Sequence, residues 1–94
     1  MELLIEVLES ARDEAKIIET GGSSPWRIEQ INGIVFPEMN QIMDYARKGI
    51  VFFKYGKKQR MLESTYLLTD SIFQLNTTPL GRKILKLQSF YNSL

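Results

Sequence analysis

The chain of 94 residues contains no histidine and no cysteine. Without cysteine there is no disulfide, no thiolate nucleophile and no thiolate metal site. Without histidine the commonest metal ligand and the usual general base are also missing. Catalysis would have to rest on a carboxylate pair or a Ser-Lys pair, and no spacing in the chain singles one out. No phosphate loop, dinucleotide fingerprint or metal-ligand cluster is present, so neither a cofactor nor a metal is expected and the chain does not read as an enzyme. Long apolar runs are lacking too, since no stretch approaches the roughly twenty residues that cross a bilayer. The opening eight residues carry Glu2 and Glu6 and lack a basic start and a small-residue cleavage site, so no signal peptide is expected and a cytoplasmic location is. The length is that of one domain, residues 1–94, with a modest core.

What the chain does have is charge, unevenly spread. The net charge of +1 conceals nine acids against three bases from Met1 to Asp44, and nine bases against two acids from Tyr45 onward. A basic second half points to a polyanion partner, although an acidic helix neutralising a basic one would produce the same split.

Leu4, Leu8, Ala11, Ala15 and Ile18 recur at spacings of four and three and predict a helix from Glu2 to about Glu19. The glycines and serines of TGGSS (residues 20–24) break it. Ser24-Pro25 then reads as a helix start and Gly33 as its stop, with Trp26, Ile28 and Ile31 holding the short helix by packing. A second start at Phe36-Pro37 leads into Met39, Ile42, Met43 and Ala46 at helical spacing, leaving Glu38, Asn40, Gln41, Asp44 and Lys48 outward. Gly49 ends that helix, and the β-branched and aromatic run Ile50 to Phe53 predicts a strand. Gly56 marks a turn among Lys54, Tyr55, Lys57, Lys58 and Arg60. Helix, turn, helix and strand in this order suit the unit that places a helix in a DNA major groove, with Lys54 to Arg60 as the basic hairpin behind it. The alternative is an ordinary corner of a small all-helical domain, with Lys54 to Arg60 a solvated helix-helix corner.

Residues 61–75 are ambiguous, because Met61, Thr65, Leu68, Ile72 and Leu75 suit a helix while two short strands fit as well. Thr78-Pro79 starts a final helix. Its residues Ile84, Leu87, Phe90, Tyr91 and Leu94 give it apolar surface broader than one face, and they are the expected interface of a homodimer.

The segments LLIEVLESARDEAK, RIEQINGIVFPEMNQIMDYARKGIV and FQLNTTPLGRKILKL together resemble the small archaeal winged-helix DNA-binding proteins. The resemblance rests on Leu8, Glu9 and Ala11, on Gly49, Ile50 and Val51, and on Phe73, Leu75, Thr78, Gly81 and Leu85. It implies a homodimeric transcriptional regulator or nucleoid-associated protein. The expected fold class is accordingly α+β, a mostly helical winged helix-turn-helix with a small β-hairpin wing. The alternative is an all-α four-helix bundle.

Double-stranded DNA is the expected partner. Asn40 and Gln41, whose amides pair with adenine, and Asp44 beside them are the candidates for base contact. Ser23, Ser24, Arg27, Lys48, Lys54, Lys57, Lys58 and Arg60 are those for phosphate contact. The competing expectation is a protein-protein interaction module that engages its partner through Trp26, Phe52 or Tyr55.

Overall fold

The computed structural model describes residues 2–49, 53–54, 57–58, 61–69 and 75–93. Helix α1 (Glu2–Glu19) buries the stripe Leu4, Val7, Leu8, Ala11 and Ala15. The two alanines permit close approach of neighbouring backbones, and α1 packs most extensively on the last helix, α5 (Pro79–Asn92). At its end Thr20 Oγ1 donates to the Lys16 carbonyl at 2.9 Å, and Gly21 turns the chain at φ 83°, a left-handed conformation that suits glycine.

The middle of the chain departs from expectation. Ile28–Gln30 (α2), a π-helical turn Ile31–Val35 and Phe36–Arg47 (α3) follow one another without a break, and Val35 and Phe36 both have right-handed helical backbones. Gly33 does not stop the helix. It sits exposed on the wide turn, while Ile31 and Val35 on either side are fully buried, so packing carries the helix across a residue of poor propensity. A helix-turn-helix needs two helices at a steep angle, and no such corner exists between residues 28 and 47. The start is also later than Ser24-Pro25: α2 begins at Ile28, where Gln30 reaches back to accept the Arg27 amide at 2.8 Å. Gly49 closes α3 at φ 73°.

The α+β winged helix is therefore corrected to a small helical globule, in line with the all-α alternative. Strand pairing among the described residues amounts to Phe53–Lys54 (β1) against Lys57–Lys58 (β2), antiparallel, with Phe53 opposite Lys58 and Lys54 opposite Lys57. This two-stranded ladder has two residues a side and no further strand among the described residues, too little to make an α+β fold. The expected strand start at Ile50 to Phe52 and the turn at Gly56 lie outside the described residues.

Within the ambiguous stretch Glu63–Thr69 form helix α4 and Leu75–Thr77 a 3₁₀ turn, while residues 70–74, with Ile72, lie outside the described residues. Helix α5 starts as its sequence predicts, with the Thr78 hydroxyl accepting the Gly81 amide at 3.0 Å and Pro79 in the first turn.

One apolar core joins these elements, drawing Trp26, Ile31, Val35, Met39, Leu62, Leu75, Leu80, Ile84, Leu87 and Tyr91 around the α1 stripe. Ile84, Leu87 and Tyr91, expected at a dimer interface, are core residues of the single chain. Their helix places them against α1, and exposing them to a second copy would open the core. Phe90 is about half exposed, at 51%, and Leu94 lies outside the described residues.

Among the described residues no helix is long and apolar enough to cross a membrane.

Candidate nucleic-acid interface

Three long polar side chains, Glu14, Glu38 and Gln88, are buried in this small core, and each ties together segments distant in sequence. Glu14 accepts the Ser24 hydroxyl at 2.5 Å, and the same Ser24 oxygen accepts the Trp26 amide at 3.1 Å. Trp26 Nε1 donates to Thr78 Oγ1 at 2.9 Å, and Thr78 directs its own proton to the Leu75 carbonyl at 2.6 Å. This relay links α1, the TGGSS connection and the start of α5, and it satisfies the polar groups it buries.

Glu38, expected to face outward, is 5% exposed, and its two carboxylate oxygens accept the amides of Glu63 at 2.6 Å and Ser64 at 2.8 Å. Gln88 on α5 accepts the Leu62 amide and the Thr65 hydroxyl, both at 2.8 Å, while its amide donates to Asn92 at 2.7 Å. The first amides of a helix have no intrahelical partner, so α4 is capped from outside by two side chains on two other helices. The Ser64 hydroxyl is also buried; it lies beside the Glu38 carboxylate without meeting hydrogen-bond geometry to any acceptor.

Burial pushes the Glu38 carboxyl above its ordinary value, opposed by the hydrogen bonds from Ser64 and Glu63 and assisted by the neighbouring Glu63 charge. A carboxyl with a raised value in the fold binds its proton more tightly there than in the unfolded chain. Its contribution to stability is complete below the ordinary carboxylate range and is lost as pH rises through the raised value. The stability of wild type relative to Glu38→Gln is thus expected to decline from pH 4 toward neutrality in urea unfolding. A difference that grew with pH would refute this assignment of charge state.

Asn40, Gln41 and Asp44 are exposed on the outer side of α3, with Lys48 one turn beyond Asp44. The Lys48 ammonium stands 5.9 Å from the centre of the Tyr45 ring, and Arg47 lies 4.0 Å from Asp44 in a pair too exposed to contribute much. This polar face runs directly into the basic segment. Between Tyr45 and Leu62 there are six cations, Arg47, Lys48, Lys54, Lys57, Lys58 and Arg60, and no acid. Of these, Lys54 pairs with Lys57 in the backbone register of β1 and β2. Arg60 lies outside the described residues.

Of the other expected phosphate contacts, Ser23 and Arg27 are exposed beside the start of α2, whereas the Ser24 hydroxyl is committed to Glu14 and Trp26. Trp26, 3% exposed, offers no surface to a protein partner; Phe52 and Tyr55 lie outside the described residues. Glu38 and Gln88 were not among the expected functional residues, yet a signal for each exists. Ile31, Val35, Glu38 and Ile42 are spaced four, three and four, and Leu80, Ile84 and Gln88 are spaced four and four, so both polar residues fall on apolar stripes.

Compared with known protein families, with curated proteins and with solved structures, the chain matches none of them. The resemblance to archaeal winged-helix proteins rests on the quoted residues alone, and the helical course of residues 28–47 removes its structural counterpart. Among the described residues no group of three or more acidic side chains is arranged to hold a metal ion.

Proposed function

We propose that the chain is a non-enzymatic protein that binds double-stranded DNA through its phosphates, using the segment from Arg47 to Arg60 as its electrostatic footprint. The observation that carries this reading is the run of six cations uninterrupted by any acid, starting where the exposed polar face of α3 ends. Lysine and arginine at such density release counterions from a phosphate backbone, which supplies affinity without reading sequence. Asn40 and Gln41 sit on the same helix and would meet base edges if α3 lies along a groove. The proposed contact uses one copy of the chain.

The test is fluorescence anisotropy of random duplex DNA at two salt concentrations, for wild type and for the Lys57→Ala, Lys58→Ala, Arg60→Ala variant. Binding that falls with salt is expected. The triple variant should have a salt slope shallower by about 1 for each phosphate it no longer neutralises, with the helical circular dichroism signal unchanged. Absence of binding even at low salt would end the DNA reading and make a protein partner the better one.

A further inference from the structure

We infer that the outer face of α5 is a second phosphate-contacting surface, separate from the Arg47 to Arg60 segment, an inference that rests on the reading of the chain as a duplex-DNA binder. From Ser71 to Leu94 the sequence carries Arg82, Lys83 and Lys86 and no acid. Lys83 belongs to the fold: half-buried, it pairs with Glu6 of α1 at 3.3 Å. Arg82 and Lys86 are exposed, and among the described residues neither has an acidic partner. They stand one turn apart on the helix, a spacing at which like charges disfavour each other. Neither lies in the last turn of α5, the place where the helix dipole favours a cation. Nothing in the fold offsets their repulsion, and an anion set between them would.

Arg82, Lys86 and Ser89, spaced four and three, form one exposed row. The row rises about 10 Å along the helix, which matches the rise of about three nucleotides of one DNA strand. All three side chains donate hydrogen bonds, and they are of the kinds that meet phosphate oxygens. A lipid surface fits this face poorly. Its exposed apolar residues, Leu85 and Phe90, flank the row on opposite sides, about 140° apart around the helix, whereas a helix lying in a lipid interface needs one apolar face. The α1 helix of a second copy fits poorly too, because its exposed surface sets Arg12 and Lys16 among Glu9, Asp13 and Glu19. A phosphate backbone stays negative along the whole row.

The experiment measures binding of random duplex DNA by fluorescence anisotropy across a salt series. Wild type is compared with the pair Arg82→Ala, Lys86→Ala, with the Lys57→Ala, Lys58→Ala, Arg60→Ala triple variant, and with the two sets combined. The pair Arg12→Ala, Lys16→Ala on α1 is the control, since it too is exposed, one turn apart and removes the same charge. Circular dichroism checks that each variant keeps its helical signal. Losing Arg82 and Lys86 is expected to make the salt slope shallower by about 2, in wild type and in the triple variant alike. The α1 pair should leave the slope unchanged.

If the α5 pair keeps wild-type affinity and slope while the triple variant weakens binding, the second surface is overturned and the DNA reading stands. If the α5 pair changes the slope and the triple variant does not, the α5 surface holds and the Arg47 to Arg60 footprint fails. An equal change in the α1 pair would reduce the effect to net charge and overturn the inference. Absence of duplex binding at low salt would end both readings, and binding to anionic phospholipid vesicles that the α5 pair abolishes would then assign the row to a lipid surface.

Discussion

Replacing Gly81 with alanine is expected to destabilise the protein by about 3 kcal/mol or more, although the same exchange in a helix ordinarily gains about 1 kcal/mol. Gly81 is buried in the first turn of α5, where the 3₁₀ turn crosses directly over it. A Cβ there would overlap the Leu75 carbonyl oxygen, stand 2.8 Å from the Leu75 carbonyl carbon and 2.9 Å from Asn76 Cα. All three are backbone atoms, so no rotamer change relieves the overlap. The same Leu75 carbonyl accepts the Thr78 hydroxyl, so moving it aside also disturbs the cap of α5. Against a total stability of about 5–15 kcal/mol for a domain of this kind, the loss is readily measured as a lower urea midpoint. A midpoint equal to or above wild type would show that the turn yields, and this account of the α5 start would be wrong.

Trp26→Ala carries the second large effect, a loss of about 3–5 kcal/mol. The indole is buried in the core, just ahead of α2 and bonded to the residue that caps α5, and its removal leaves a cavity. It also deprives the Thr78 hydroxyl of the donor from Trp26 Nε1. Trp26→Phe separates the two contributions, since it keeps an aromatic ring but loses the hydrogen bond. That variant should cost clearly less than alanine, with about 1 kcal/mol assigned to the bond itself. Equal losses in the two variants would mean that the cavity contributes little and that packing around Trp26 collapses freely.

Much of this fold was legible where one effect dominates. The Leu4-Leu8-Ala11-Ala15 stripe defines α1, and the Thr78-Pro79 pair marks the start of α5, because period and cap act locally there. Gly33 misled because local propensity and tertiary packing disagree at that residue: an exposed glycine costs about 1 kcal/mol, less than the burial of Ile31 and Val35 returns. Three of the residues expected at a dimer surface on α5, Ile84, Leu87 and Tyr91, misled for a related reason. Leu80, Ile84, Leu87 and Tyr91 are consumed by the chain's own core, and composition does not reveal whether a broad apolar face is met by the same chain or by another.

The candidate site was half legible. Charge needs no fold to be counted, so the cations from Arg47 to Arg60 stand out in the sequence itself. Glu38 and Gln88 did not stand out, because charge and polarity ordinarily mark exposure. Their phase with Ile31, Val35 and Ile42 and with Leu80 and Ile84 was the better guide, and Glu14, in phase with Val7, Ala11 and Ile18, obeys the same rule.

The wide turn at Ile31–Val35 bears on how the rod from Ile28 to Arg47 tolerates change in length. A π turn spends one residue more than an α turn over the same rotation, so it behaves as an α-helix that has absorbed a single insertion. Deleting Asn32 or Gly33, both exposed, would return that residue and restore uninterrupted α-helical bonding without rotating the Ile28 end against the Met39 end. Deleting one residue elsewhere in the rod would instead swing everything beyond it by about 100° and carry Glu38 away from α4. Indel tolerance in this helix is thus concentrated at one turn.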